Sequence, residues 1–209
     1  SVTSKLGYAQ SKAEKIDNLM KVYNEHRQFN GSVLVAENGN VILKKGYGFA
    51  NMEWGIPNQP DTKFRLGSIT KQFTSMLIMQ LVQRGKVKLD WKITDYLPDY
   101  SKKNGERIAI HHLLTHTSGI PGYTEFANFS RDLERNPYSA AEFVKMFADS
   151  ALLFEPGTQW SYSNSGYFLL GVIIEKVTGK TYEQVLNENI LEPLNMNGTG
   201  YDHSQTIIT

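Results

Sequence analysis

The chain has 209 residues, 22 basic and 21 acidic, with a formal net charge of +1 and no cysteine. Balanced charge with only isolated pairs such as Lys44-Lys45 and Lys102-Lys103 argues against a nucleic-acid binder, which concentrates basic residues on one face. The missing cysteines exclude disulfide frameworks, thiolate catalysis and cysteine-based zinc sites, and no apolar run approaches the roughly 18 residues needed to span a bilayer.

Residues 10–28 place Ile16, Leu19, Met20 and Tyr23 at helical spacing with charges between them, which predicts an amphipathic helix. Ser32 to Glu37 reads as a strand. Asn38-Gly39 is a two-residue hairpin signal, because both residues tolerate positive φ, and Val41 to Ala50 returns as the second strand. A loop with Pro57 and Pro60 follows. Ile69, Phe73, Leu77 and Leu81 repeat every four residues and predict a helix over 69–84, stopped by Gly85. His111 to Thr115 reads as a helical turn, and Thr117 to Gly122 is a cluster of breakers. Ser139-Ala140-Ala141-Glu142 is a capping box that opens a helix to Asp149. Residues 165–178 form another apolar helix, stopped by Gly179. Thr181-Tyr182-Glu183-Gln184 is a second capping box, with a helix to Leu191.

The order is therefore a hairpin followed by helices, with no strand expected after residue 50. The expected division is residues 1–60 as a helix and β-hairpin and residues 61–209 as a mostly helical region. A two-stranded hairpin alone is marginal in water. Further strands are expected from a C-terminal segment or from a second chain.

Two places carry candidate chemistry. Ser68 and Lys71 lie three apart at the start of the helix over 69–84, so their side chains share one face. Gly67 permits close approach of backbone to ligand, and the first helical turn offers free N–H groups to a developing anion. A serine needs a nearby base to become a nucleophile, and a lysine can be that base as the neutral amine. The plain alternative is that Ser68 caps the helix and Lys71 is solvated, since S-x-x-K arises by chance about once in a chain of this length. Downstream, Tyr162 and Asn164 are two apart in Trp160-Ser161-Tyr162-Ser163-Asn164-Ser165-Gly166. In an extended loop both would face one side. A tyrosine can relay a proton and an amide can hold a carbonyl or amide group. The plain alternative here is a polar loop that caps the next helix.

Together the two motifs resemble the penicillin-recognising serine hydrolases, which combine S-x-x-K, an S-D-N or Y-x-N loop and a K-T-G-like strand. Y-x-N looks like the class C β-lactamase branch, with its D,D-peptidase, esterase and D-amino-acid peptidase relatives. Gly46 to Asn51, Phe64 to Ser68, His112 to Pro121, and Glu155 through Gly171 are similar to the family in the same order. The resemblance covers nearly the whole chain.

The resemblance implies a β-lactamase/transpeptidase-like fold of α/β (α+β) type, an antiparallel sheet flanked by helices plus a mostly helical subdomain. It implies Ser68 as the acylated nucleophile, Lys71 as acceptor of its proton, Tyr162 in the proton relay and Asn164 as the contact to the substrate's amide. It implies no metal or organic cofactor, and a small-molecule or peptide substrate: a β-lactam, a D-amino-acid peptide or an ester. The rival reading is a sensor that is acylated and not regenerated. Cell-wall or β-lactam chemistry would place the protein outside the cytoplasm, whereas an esterase could be inside. The sequence departs from the family at the third motif. Lys176-Val177-Thr178-Gly179 has one residue too many and ends a helix, and Gly179-Lys180-Thr181 is no phosphate loop, because Ile174 stands where a glycine is required. The late strands are therefore expected to be absent, the chain reading as an N-terminal portion. His112 and His116 lie four apart as metal ligands might, but no third ligand is apparent.

Overall fold

The computed structural model describes residues 10–129 and 136–203. They fall into two compact units, one ending at Phe64 and the other beginning at Arg65.

In the first unit, Ser11 opens helix α1 (Lys12–Glu25) with a capping box. Its hydroxyl accepts from the Glu14 N–H, and the Glu14 carboxylate accepts from the Ser11 N–H. Strands β1 (Gly31–Glu37) and β2 (Asn40–Tyr47) pair antiparallel from Gly31 opposite Tyr47 to Glu37 opposite Asn40. Asn38 and Gly39 both adopt positive φ, 50° and 79°, as the hairpin signal requires. Helix α1 is tied to β2 through Asp17. Its carboxylate accepts from Lys45 Nζ at 2.8 Å and from the Tyr47 hydroxyl at 2.8 Å, and pairs with Lys21 at 2.9 Å. The two lysines and the phenol hold Asp17 well below the usual carboxylate range, while burial and the Asp17 charge push the Tyr47 phenol up to about 12.

The second strand is shorter than expected. It breaks at Gly48, whose φ is +69° and where an added Cβ would lie 2.1 Å from Asn30 Oδ1. The Asn30 amide takes both backbone groups of Phe49, accepting from its N–H at 2.7 Å and donating to its carbonyl at 2.9 Å. This side chain replaces a strand partner, and the chain restarts as β3 (Phe49–Asn51), paired with β4 (Ile56–Pro57). A strand after residue 50 thus exists, two residues long, where the sequence reading expected none. Its brevity and its proline hide it from any alternating pattern.

In the second unit a 3₁₀ turn (Gly67–Ile69) runs directly into helix α2 (Thr70–Gln83). Short helices α3 (Ile93–Tyr96), α4 (Lys102–Gly105) and α5 (Ile110–Leu114) follow, then α6 (Ala140–Ala148), α7 (Asn164–Thr178) and α8 (Tyr182–Leu186). Helix α7 is the centre: Leu169, Leu170, Ile173 and Ile174 are fully buried, in one cluster with Leu77 and Ile78 of α2, Leu113 of α5 and Phe147 of α6. Each such side chain contributes roughly 1.5–3 kcal/mol on leaving water. Because α2 and α7 share this core, their N-terminal ends are held as rigid supports. Helix α8 stops before the expected Leu191. The Asn189 side chain donates to the Val185 carbonyl at 2.9 Å, the acceptor an α-helix would give its own N–H, and Asn187–Leu191 widens to a π turn.

Among the described residues the sheets are two antiparallel pairs, β1-β2 and β3-β4, and no strand carries a Lys-Thr-Gly or His-x-Gly sequence.

Candidate active site

Gly67 enters the 3₁₀ turn with φ +53°, while nothing lies within 4 Å of an added Cβ. The glycine is needed for backbone conformation, not for room. This turn presents Ser68 without using it as a cap: no side-chain cap bond is made at the start of the turn or of α2. The capping alternative therefore does not hold. The exposed Ser68 hydroxyl instead shares a hydrogen bond of 2.7 Å with the Tyr162 hydroxyl.

Lys71, three residues on, points along the same helix face. Its ammonium donates to Asn164 Oδ1 at 2.7 Å and more weakly to Ser68 Oγ at 3.3 Å. It lies 4.8 Å from the Tyr162 ring centre and 5.5 Å from that of Tyr167. Of the downstream loop, Ser163 is the part that caps α7, its hydroxyl accepting from the Gly166 N–H at 3.2 Å. Tyr162 is left to bond Ser68, and Asn164 to bond Lys71. All four sequence-predicted residues thus converge, from two stretches more than 90 positions apart in the chain.

Five further residues complete the arrangement. Thr124 Oγ1 accepts from Asn164 Nδ2 at 3.0 Å. The Asn164 oxygen is thus engaged with Lys71 and one of its two N–H groups with Thr124, which leaves the amide one N–H to offer a substrate. The Tyr167 hydroxyl donates to the Leu114 carbonyl and bonds the Ser75 hydroxyl, both at 2.9 Å, which fixes its ring beneath Lys71. His116 stacks on Tyr162 and Tyr167, with ring centres at 4.6 and 5.0 Å. Tyr123, with Phe168, walls an open cleft of about 290 Å³ over Ser68, Lys71, Thr74 and Asn164. That volume sits at the small end of ligand sites, roughly 300–1,000 Å³. Tyr167 was findable from sequence, lying three after Asn164 on one helix face; Thr124, in a short 3₁₀ turn, carries no pattern.

The electrostatics follow from these contacts. Burial raises the Tyr162 phenol, but bonding to Lys71 and Ser68 and the lysine's charge outweigh it, so the phenol ionises below its ordinary 10.0. Burial and the Lys71 charge hold His116 below its ordinary 6.5. Its Nδ1 accepts from the Ser163 N–H at 3.1 Å, and that of His112 accepts from the Ala109 N–H at 3.2 Å. Among the described residues no group of three or more His, Cys, Asp or Glu side chains is placed to hold a metal ion.

Ser68, at a helix start, is thus bonded to Tyr162 and Lys71, and Asn164 holds the lysine. The beta-lactamase family model matches residues 13–207, and the chain belongs to that family. It is similar to a penicillin-binding protein of Bacillus subtilis (strain 168), 36% identical over 195 residues, covering 91% of this chain and 42% of the relative. It is also similar to esterase EstB of Burkholderia gladioli, 30% identical over 207 residues, covering 92% of this chain and 52% of the esterase. A class C β-lactamase solved in complex with cefoxitin superposes with a TM-score of 0.77 at 25% identity, over 90% of this chain and 51% of the other. The chain spans about half the length of the relatives it matches. The family takes in hydrolases, and it bears out the resemblance and the fold class read from the sequence.

Proposed function

We propose that the protein is a serine hydrolase that works through an acyl-enzyme on an amide, β-lactam or ester carbonyl. The observation that carries this reading is the pair of bonds at Ser68 Oγ: 2.7 Å to the Tyr162 hydroxyl and 3.3 Å to Lys71 Nζ. In the first half-reaction Ser68 Oγ bonds to the carbonyl carbon and its proton passes to the Tyr162 phenolate. The carbonyl oxygen becomes the anion of a tetrahedral intermediate, met by the Ser68 backbone N–H, which precedes the first bond of its turn (Ile69 N–H to the Leu66 carbonyl). Collapse breaks the bond to the leaving amine or alkoxide, which takes the proton back from Tyr162. In the second half a water attacks the Ser68 ester and gives its proton to Tyr162; collapse breaks the bond to Ser68 Oγ, which takes that proton back, and releases the acid. Lys71 supplies the positive charge that keeps the phenol ionisable, and Asn164 holds Lys71.

The same reading includes a partner. A two-stranded sheet is marginal alone, so β1-β2 suits further strands from another segment or chain, which would also bring a second oxyanion donor. A D-amino-acid peptide or β-lactam as substrate fits an exported protein.

The test is intact mass after incubation of the full-length protein with a reactive penicillin or a nitrophenyl ester, wild type against Ser68→Ala. An adduct that needs Ser68 and decays with turnover supports the hydrolase. A lasting adduct converts the reading to a sensor. No adduct at all sinks both.

A further inference from the structure

His116 does nothing in the acyl-transfer scheme, yet it touches every part of the loop that carries Tyr162. Its backbone carbonyl accepts from the Ser161 N–H at 2.9 Å, and its ring Nδ1 accepts from the Ser163 N–H at 3.1 Å. These two bonds grip the residues on either side of Tyr162. The ring itself lies against the Tyr162 ring, centres 4.6 Å apart at 34°. On its other contacts it meets Tyr167 at 5.0 Å and the edge of Trp160 at 6.1 Å. The backbone of His116 is left-handed, φ +59°, a conformation few residues other than glycine adopt, asparagine, aspartate and histidine most often among them. From that conformation one residue supplies both acceptors to alternate N–H groups of a single extended segment.

We propose that His116 is the positioning residue that holds Tyr162 against Ser68, and that it does so only as the neutral ring with its proton on Nε2. The reason is the donor count. A neutral imidazole has one acceptor nitrogen, and Nδ1 uses it for the Ser163 N–H. A second proton turns Nδ1 into a donor facing another donor. The bond is lost, and one of the two grips on Tyr162 with it. The titratable groups that face the ring are Lys71 from α2, Tyr162 from the loop and Tyr167 from α7. The Lys71 charge and burial both oppose the imidazolium, which preserves the neutral ring below its ordinary 6.5. The site would therefore carry an acid limb that belongs to a residue outside the reaction.

This inference rests on the acyl-transfer reading of Ser68 and Tyr162, and the test separates the two. The full-length protein is acylated with a nitrophenyl ester in single turnover across pH, wild type beside His116→Asn and His116→Phe. Asparagine tolerates the left-handed backbone and offers an acceptor that does not titrate. Phenylalanine keeps a ring and has no acceptor. Beneath the Tyr162 titration, wild type should show a second, steeper loss of acylation with a midpoint below 6.5. His116→Asn should lose that limb and keep its neutral-pH rate within about tenfold, whereas His116→Phe should fall by about a hundredfold in rate with little change in KM, the cost of a misplaced reacting group. An unchanged acid limb in His116→Asn overturns the proposal. Nitrogen-15 spectra of the wild-type ring give a readout independent of activity. They should show the Nε2-protonated tautomer, with the Ser163 amide shifting as the ring titrates. The Nδ1-protonated tautomer, or a Ser163 amide indifferent to that titration, overturns the proposal even if no ester acylates Ser68; that last result alone would remove the acyl-transfer reading.

Discussion

The Tyr162 hydroxyl lies 2.7 Å from Ser68 Oγ, whereas Lys71 Nζ lies 3.3 Å away. Two groups could take the serine's proton, and the distances divide their labour. Tyr162 is in hydrogen-bond contact and is shifted toward ionisation. Lys71 makes its short bond elsewhere, to Asn164 at 2.7 Å, and stands over the phenol as a cation.

Tyr162→Phe should therefore lower the acylation rate by about 10²–10⁴-fold, the usual worth of a general acid–base group. With the phenolate as base in the proposed scheme, the wild-type rate should rise with pH through a midpoint below 10.0. The phenylalanine variant should lack that rise. Single-turnover acylation from pH 6 upward reads both. A retained alkaline limb in Tyr162→Phe would assign the base to another group.

Thr124 supports the site at one remove, through the 3.0 Å bond from Asn164 Nδ2. Thr124→Val keeps the shape and removes the acceptor. One such bond is worth about 0.5–1.5 kcal/mol, so kcat/KM should fall roughly threefold to tenfold. Thr124→Ser, which keeps the hydroxyl, should recover most of it. Equal losses in both variants would point to packing instead of the bond.

The long elements were legible because their signals are local. Ser11, Ser139 and Thr181 each cap a helix through its own neighbours, and Asn38-Gly39 turns a hairpin without outside help. The convergence of Ser68, Lys71, Tyr162 and Asn164 was legible only by resemblance, since no spacing rule links stretches so far apart. The missed features depend on contacts that sequence does not announce. The break at Gly48 comes from Asn30, and α3 and α4 are too short to show a period. His116 gains its place from the loop that ends in Ser163, and Thr124 from Asn164 at the start of α7. The reading of Ser68 as an ordinary N-cap failed because Gly67 reshapes the start of the helix as a 3₁₀ turn, which leaves the hydroxyl to the cleft.

Asp17 should make the first unit sensitive to acid. Its folded pKa is depressed from the ordinary 3.8, so its contribution is complete above that value and is lost as pH falls toward the folded one. Denaturant midpoints measured across acid pH should fall below about pH 4 in wild type. Asp17→Asn should start less stable at neutral pH and show a flatter acid profile. Matching profiles would mean that the ties to Lys45, Lys21 and Tyr47 add nothing.

Asn104 holds the end of α6 and should be the costliest polar residue to remove from the second unit. It is 1% exposed, and its Nδ2 donates to the Ala148 carbonyl at 2.8 Å and the Ser150 carbonyl at 2.9 Å. Ala148 ends α6 and Ser150 lies two residues beyond it, where a helix has no N–H left to give. Asn104→Ala strips both of their donor and should cost about 2–4 kcal/mol. Asn104→Asp should cost more, because an ionised carboxylate has no donor and sets a buried charge against two carbonyl oxygens. Thermal melts should then rank wild type above alanine and alanine above aspartate, with the alanine variant lowered by roughly 5–15 °C. An aspartate variant as stable as the asparagine protein would mean that packing, and not the two donated bonds, secures the end of α6.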